Sequence, residues 1–390
     1  MILLKNVELY TPRPLGLKDV LVAGEQIVAI QERIDPGTLL PEVQVIQGQG
    51  RWLLPGFIDT HLHLTGGGGE GGPHTRTPEI MLSDLTMAGV TTVVGCLGTD
   101  GFTRTMGNLL AKAQALTHEG ITAFAWTGSY QVPPRTLMDS IEEDLLYLAP
   151  VIGVGEIALA DHRSSQPSLE ALKKLTASAR VGGMLSGKAG VVNIHLGDTP
   201  GGLEMLQQVA RDAAIPLSQF LPTHQNRSEQ VFEEALTYGK SGGWMDFTTS
   251  TVPQFLEAGE VAAHEALAKA LDAGIPIERL SFSSDAQGSL PAFDHQGNLT
   301  GLAVGKASSL LQSVQDAVTA AGVSFPTALQ AITSTPASHL KLAGKGRIGV
   351  GMAADLVLVE PGSLLVDTVI ARGQVMVAEG KPVKRGTFED

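Results

Sequence analysis

Two histidines stand two residues apart in His61-Leu62-His63, and His195, His224 and Asp285 each close an apolar run farther along the chain. Side chains two apart on a strand share a face, so His61 and His63 offer two imidazoles to one metal ion. Alone, a His-x-His pair is a weak signal, and any one of the other three is as readily a hydrogen-bonded structural residue. Together they are stronger, because each ends a strand candidate and precedes a polar or glycine-rich loop. Glu156 is the only carboxylate in the apolar run 151–159. Buried without a partner it would be costly, so it is read as the bridge between two metals. Two ions about 3.5–4 Å apart would share a hydroxide whose pKa falls from 15.7 toward about 7. Asp285 would accept that hydroxide's proton and hand it to a leaving amine. Imidazole and carboxylate donors make zinc the default metal.

These residues need a frame that brings strand ends together. Apolar strand candidates run 54–64, 90–97, 121–127, 151–159, 191–196, 219–224, 244–249 and 280–285, with helical patterns between them. The first helix is expected from Thr77 as N-cap and Pro78 at its first position to Gly89 at its close. Another starts at Ser168 and turns Leu169, Leu172 and Leu175 to one side. The alternation predicts an α/β fold, a parallel (β/α)8 TIM barrel over 54–345, which gathers active-site residues at the C-terminal ends of its strands. An open doubly wound sheet is the alternative, although no Gly-x-Gly-x-x-Gly follows the first strand. Both chain ends read as short strands: 20–23 and 26–30 about a Gly24-Glu25 turn, and 355–359, 366–372 and 374–378. They predict one small β-sandwich domain built from 1–53 and 346–390.

Composition narrows the function classes. The 390-residue chain is 43% hydrophobic and 17% charged, ordinary for a well-buried enzyme. Its formal net charge is −13 with no basic stripe, which argues against nucleic acid as a partner. Cys96 is the single cysteine, so no internal disulfide forms and a reducing compartment is favoured. There is no signal-peptide pattern and no apolar run of about 18 residues, so no membrane partner is expected. The expectation is a cytoplasmic protein, with the Asn298-Leu299-Thr300 sequon coincidental. His74, His118, His162, His264, His295 and His339 fall in loops or helices and are left as structural or solvated.

Nearly end to end, the pattern resembles the amidohydrolase superfamily. Pro55-Gly56-Phe57-Ile58-Asp59-Thr60-His61-Leu62-His63 is similar to its strand-one signature, and the stretch from Gly346 to Leu356 to its return into the β domain. Within the superfamily the sequence resembles the isoaspartyl (β-aspartyl) dipeptidases. The stretches that carry this are 66–70 with 75–79, Gly98-Thr99-Asp100, Thr127-Gly128-Ser129-Tyr130 and Asp161-His162-Arg163-Ser164, then 222–227, and Ser283-Ser284-Asp285 with Gly288-Ser289.

That family cleaves dipeptides joined through the aspartate side-chain carboxyl, so the resemblance implies a small zwitterionic dipeptide substrate and two divalent ions. Glu70, helped by Ser289, would bind the amine, and Arg163 and Arg227 would each grip a carboxylate. Thr99 would add a hydroxyl, and Tyr130 would steady the oxyanion. The bland readings are surface arginines and a core tyrosine. The glycine run 66–72 lacks the Lys-Ser/Thr ending of a phosphate loop and is read as a mobile loop that lets Glu70 reach the substrate. One departure stands out: where the family usually has a carbamylated lysine, this chain has Glu156, which reaches less far. Either the strand bulges at Gly155 or the metals shift, and activity is expected to need no bicarbonate. The alternatives are an amidohydrolase acting on a cyclic amide or an N-acyl amino acid, and a catalytically silent scaffold. Family members often form homo-oligomers, which is the expectation here.

Overall fold

Alternating apolar side chains at both chain ends pair into one sheet. The computed structural model describes residues 1–38, 43–293 and 299–389; His295 and Asn298 lie outside them. The chain begins with β1 (Ile2–Tyr10), β2 (Pro14–Ala23), β3 (Gln26–Gln31), β4 (Gln44–Gln47) and β5 (Trp52–Pro55). Then come β6 (Phe57–Leu62), β7 (Val90–Gly95), β8 (Thr122–Thr127), β9 (Val151–Leu159), β10 (Val191–Leu196), β11 (Phe220–Thr223), β12 (Met245–Thr248) and β13 (Leu280–Ser283). A hairpin of β14 (Ser289–Phe293) and β15 (Leu299–Val304) follows. The last strands are β16 (Leu356–Val359), β17 (Val366–Ala371), β18 (Gln374–Ala378) and β19 (Lys381–Pro382).

The terminal sheet runs β19-β18-β17-β16-β5-β1-β2-β3, with β4 also on β1. It buries Leu4, Leu9, Val20, Ile27, Leu356 and Ile370 in a core of its own. Gly24, at φ 56, makes the expected turn between β2 and β3.

β6 to β11 lie side by side in chain order, and β12 pairs parallel with β13. Two seams join these groups into a cylinder. Gln225 N donates to Asp246 O at 3.3 Å across β11 and β12. Where β13 meets β6, Asp285 N donates to His61 O at 3.0 Å and His63 N to Ala286 O at 2.9 Å. The fold is thus a (β/α)8 barrel and not an open doubly wound sheet, whose first and last strands would not meet. Helices pack outside it: the one over Leu169–Ser186 starts where Ser168 Oγ accepts from Ala171 N at 3.2 Å, with Leu172 and Leu175 buried. Among the described residues no helix is long and apolar enough to cross a membrane.

Two expected elements differ. The run 54–64 is two strands, because Leu54 and Pro55 pair with β16 in the terminal sheet while β6 starts the barrel. Gly56 is the crossing point: its N donates to Asp355 O at 2.7 Å, and a Cβ there would lie 2.2 Å from Thr91 Oγ1. The first helix begins at Leu82 and not after Thr77. Thr77 Oγ1 donates to Gln287 O (2.6 Å) and accepts from Gly67 N (2.7 Å), so it ties the glycine loop to the barrel rim. Asp84 caps the helix instead, accepting from Met81 N at 3.0 Å.

Candidate active site

Strand ends at one mouth of the barrel bring His61, His63, Glu156, His195, His224 and Asp285 together. The rings of His61 and His63 have centroids 5.9 Å apart. Glu156 reaches them through a bulge: Val154 pairs with Val192 and Ile157 with Ile194, so Gly155 and Glu156 oppose the single residue Asn193. Gly155 has φ 146, and a Cβ on it would lie 2.5 Å from Asn193 O, so a side chain is excluded there. Of the two expected ways to shorten the gap, a bulge or displaced metals, the bulge is present. His224 and Asp285 follow β11 and β13 in left-handed backbone, φ 63 and 52, which non-glycine residues seldom adopt.

Glu156 is the hub. Its Oε2 is 3.3 Å from His61 Nε2, 3.0 Å from His195 Nδ1 and 3.9 Å from His224 Nε2; its Oε1 is 3.7 Å from His63 Nε2. Asp285 Oδ1 lies 3.1 Å from His63 Nε2 and 3.9 Å from His61 Nε2. Burial alone would push Glu156 up, but the surrounding histidines, His61 foremost, hold it well below the usual carboxylate range. Burial would likewise lower His61, yet its interactions with Cys96 and Glu156 hold it well above the imidazole range. A carboxylate that favours its charged form among imidazoles is what a cation site offers. The donors fit divalent metal in two overlapping groups. His61, His63, Cys96 and Glu156 bring ligand atoms within 4.8 Å of one another, as do Glu156, His195 and His224. Glu156 belongs to both.

Above this cluster is a cavity of about 660 Å³, a size that suits a small ligand. Glu70, Thr99, Tyr130, Arg163, Arg227 and Ser289 line it, together with His63, Glu156, His195, His224 and Asp285. Tyr130 OH is 2.9 Å from His195 Nδ1, and burial with Glu156 nearby holds the phenol well above its ordinary value, so it remains an O–H donor. Arg227 Nη1 donates to Leu196 O at 3.0 Å. Arg163 is not free as a fork: Nε and Nη2 donate to Asp161 at 2.9 and 2.6 Å, and Nη1 reaches Glu70 at 3.3 Å. The two charges expected to meet opposite ends of a ligand therefore neutralise each other here.

A profile of the Amidohydrolase family matches residues 52–382. The chain belongs to that family. Two solved structures resemble it over their whole length. One is a β-aspartyl dipeptidase from Fervidobacterium islandicum AW-1 in complex with β-Asp-Leu dipeptide: 42% identity, 100% of both chains covered, TM-score 0.91. A second structure of the β-aspartyl dipeptidase from the same organism gives 40%, 100% of both chains and 0.89. Among curated relatives, a dihydroorotase from Staphylococcus epidermidis is 32% identical over 93 residues, 24% of this chain and 21% of the dihydroorotase. This chain thus spans about a fifth of the length of those relatives.

Four residues of this amidohydrolase's mouth escape a reading of the sequence. Cys96, one residue past β7, points into the cluster. Asn193 stands two before His195 on β10, so strand period alone puts both on one face. Asp161 accepts from Arg163 and lies 3.1 Å from His195 Nε2. Arg104 is buried under the glycine loop, and no motif marks it.

Proposed function

We propose that this amidohydrolase is a metal-dependent β-aspartyl dipeptidase. The observation that carries the reading is one cavity onto which the imidazole–carboxylate cluster opens and whose charged lining includes Glu70, Arg163 and Arg227. Of these, Glu70 suits an amine and the two guanidiniums suit carboxylates. Full-length similarity to the β-aspartyl dipeptidase of F. islandicum supports it.

In this reading His61, His63, Glu156, His195, His224 and Asp285 hold two divalent ions, zinc by default. When bound, the metal supplies Lewis acidity and eases deprotonation of water at neutral pH. Asp285 accepts a proton from the attacking water and delivers it to the leaving amine. Tyr130 donates its O–H to the scissile carbonyl oxygen as charge develops there. Glu70 and Ser289 bind the substrate amine; Arg163, Arg227 and Thr99 bind the carboxylates. The barrel, expected over 54–345 and entered at β6, carries the chemistry, and the two chain ends, with Leu54 and Pro55 paired into their sheet, form the small β domain. A homo-oligomer belongs to the same reading, from the family resemblance.

Dihydroorotate carries one carboxylate and no amine, so it leaves Glu70 and one of the two arginines without a partner, and the dihydroorotase likeness covers 93 residues only. The test is hydrolysis of β-Asp-Leu, α-Asp-Leu, N-acetyl-aspartate and dihydroorotate, with metal content measured on the same sample. Preference for β-Asp-Leu with about two zinc per chain is expected. Turnover of dihydroorotate alone, or protein without metal, overturns the reading.

A further inference from the structure

We infer that Cys96 is a ligand of the ion held by His61 and His63, a thiolate that shares that ion with Glu156. The inference rests on the reading of this mouth as a metal centre and adds a donor to it.

Cys96 follows β7 directly, and its backbone N donates to Leu62 O at 3.0 Å, which fixes the residue between His61 and His63. The side chain is wholly buried. Its Sγ lies 3.8 Å from His61 Nε2, 3.7 Å from His63 Nδ1 and 3.9 Å from Glu156 Oε1. These are long for hydrogen bonds to nitrogen or oxygen. They are the spacings of ligands around one ion: with Zn–S near 2.3 Å and Zn–N near 2.0–2.1 Å, tetrahedral geometry separates sulfur from nitrogen by about 3.6 Å. The 3.3 Å between His61 Nε2 and Glu156 Oε2 matches the corresponding nitrogen–oxygen edge, again about 3.3–3.4 Å for similar bond lengths.

Charge and demand point the same way. Glu156 turns Oε2 toward His61, His195 and His224 and Oε1 toward His63 and Cys96, so one carboxylate is spread over five neighbours. Two divalent cations carry more positive charge than Glu156 and Asp285 balance, and a thiolate beside His61 and His63 adds a further negative donor next to Glu156 Oε1. Metal binding releases the thiol proton to solvent, so the site gains a metal–sulfur bond and loses one S–H.

The experiment uses full-length protein stripped of metal and reloaded with cobalt(II). Wild type is expected to bind about two cobalt per chain and to show a thiolate-to-cobalt charge-transfer band in the near ultraviolet. Cys96→Ser should lose that band and weaken one of the two sites by tenfold or more while the other keeps its affinity. Two bound cobalt ions with no such band in the wild type overturn the inference, whether or not Cys96→Ser folds. So does a Cys96→Ser protein that keeps the band. A band without β-Asp-Leu hydrolysis sinks the dipeptidase reading and leaves the ligand assignment standing; hydrolysis without a band does the reverse.

Discussion

His61 Nδ1 lies 3.1 Å from Asn193 Oδ1, while Asn193 Nδ2 donates to Leu221 O at 3.1 Å. The amide is thereby pinned with its oxygen toward the imidazole, which sets the proton on Nδ1 and turns Nε2 toward Glu156. Outer contacts of this kind orient metal-binding histidines and raise their basicity. Asn193→Ala is expected to lower zinc affinity on the order of 10–100-fold. A competition titration against a chromophoric chelator measures it, and unchanged affinity would remove Asn193 from this role.

Glu156 needs no modification to carry its charge, because the histidines around it already favour the carboxylate. A lysine at this position would need carbon dioxide to become an anion. Metal-stripped protein is therefore expected to recover full β-Asp-Leu turnover with zinc alone. Recovery only when bicarbonate accompanies zinc counts against Glu156 as the bridge.

Asp285 faces His63 on one side and the cavity on the other. Its proposed work is proton transfer, which an amide cannot do. Asp285→Asn is expected to keep most bound metal and lose turnover by roughly 10²–10⁴-fold, the usual scale for general acid–base catalysis. Comparable turnover in the two proteins would take the proton-transfer role from Asp285.

The barrel was legible because its signals are periodic and repeated: apolar runs with a histidine or acid at their ends. His61, His63, His195, His224 and Asp285 could be found that way, since strand period and barrel topology suffice to say which ends converge. The bulge at Gly155 was readable only as a need, from the short reach of Glu156. Thr77 misled because its sequence context fits an N-cap, whereas its hydroxyl is engaged by Gln287 O, a partner 210 residues away. Asp161 was hidden for a similar reason: its grip on Arg163 is local, but its approach to His195 depends on how β9 and β10 pair. Long-range polar contacts leave no period in the sequence.

Arg104 shows the same limit and yields a test. It is 3% exposed, and its Nε donates to Thr65 O at 3.0 Å while Nη2 donates to Gly67 O at 3.0 Å and Thr77 O at 3.3 Å. One planar fork thus holds both ends of the loop that carries Glu70. A lysine ammonium cannot span those carbonyls. Arg104→Lys is expected to raise KM for β-Asp-Leu by about tenfold while metal content stays the same, the signature of lost substrate binding. An unchanged KM in steady-state kinetics would show that the loop does not depend on this anchor.

Glu260 lines the same cavity near Arg227, and burial pushes its carboxyl up to about 7, with Thr251 and Arg227 offsetting only part and Asp198 adding to the rise. Unfolded, the group returns to its ordinary value near 4.5. Below pH 4.5 both states hold the proton and Glu260 does not affect stability's slope. Between pH 4.5 and about 7 the unfolded chain gives up the proton while the folded chain keeps it, so rising pH favours unfolding; above 7 the slope vanishes. Glu260→Gln removes this dependence. Relative to the variant, the wild type should lose on the order of 1–2 kcal/mol across that window, once its partial exposure is discounted. Urea unfolding of both metal-free proteins at pH 5, 6, 7 and 8 reads the difference directly, and the histidines of the mouth cancel because both proteins share them. Parallel stability curves would mean that Glu260 is ionised throughout and already paired with Arg227.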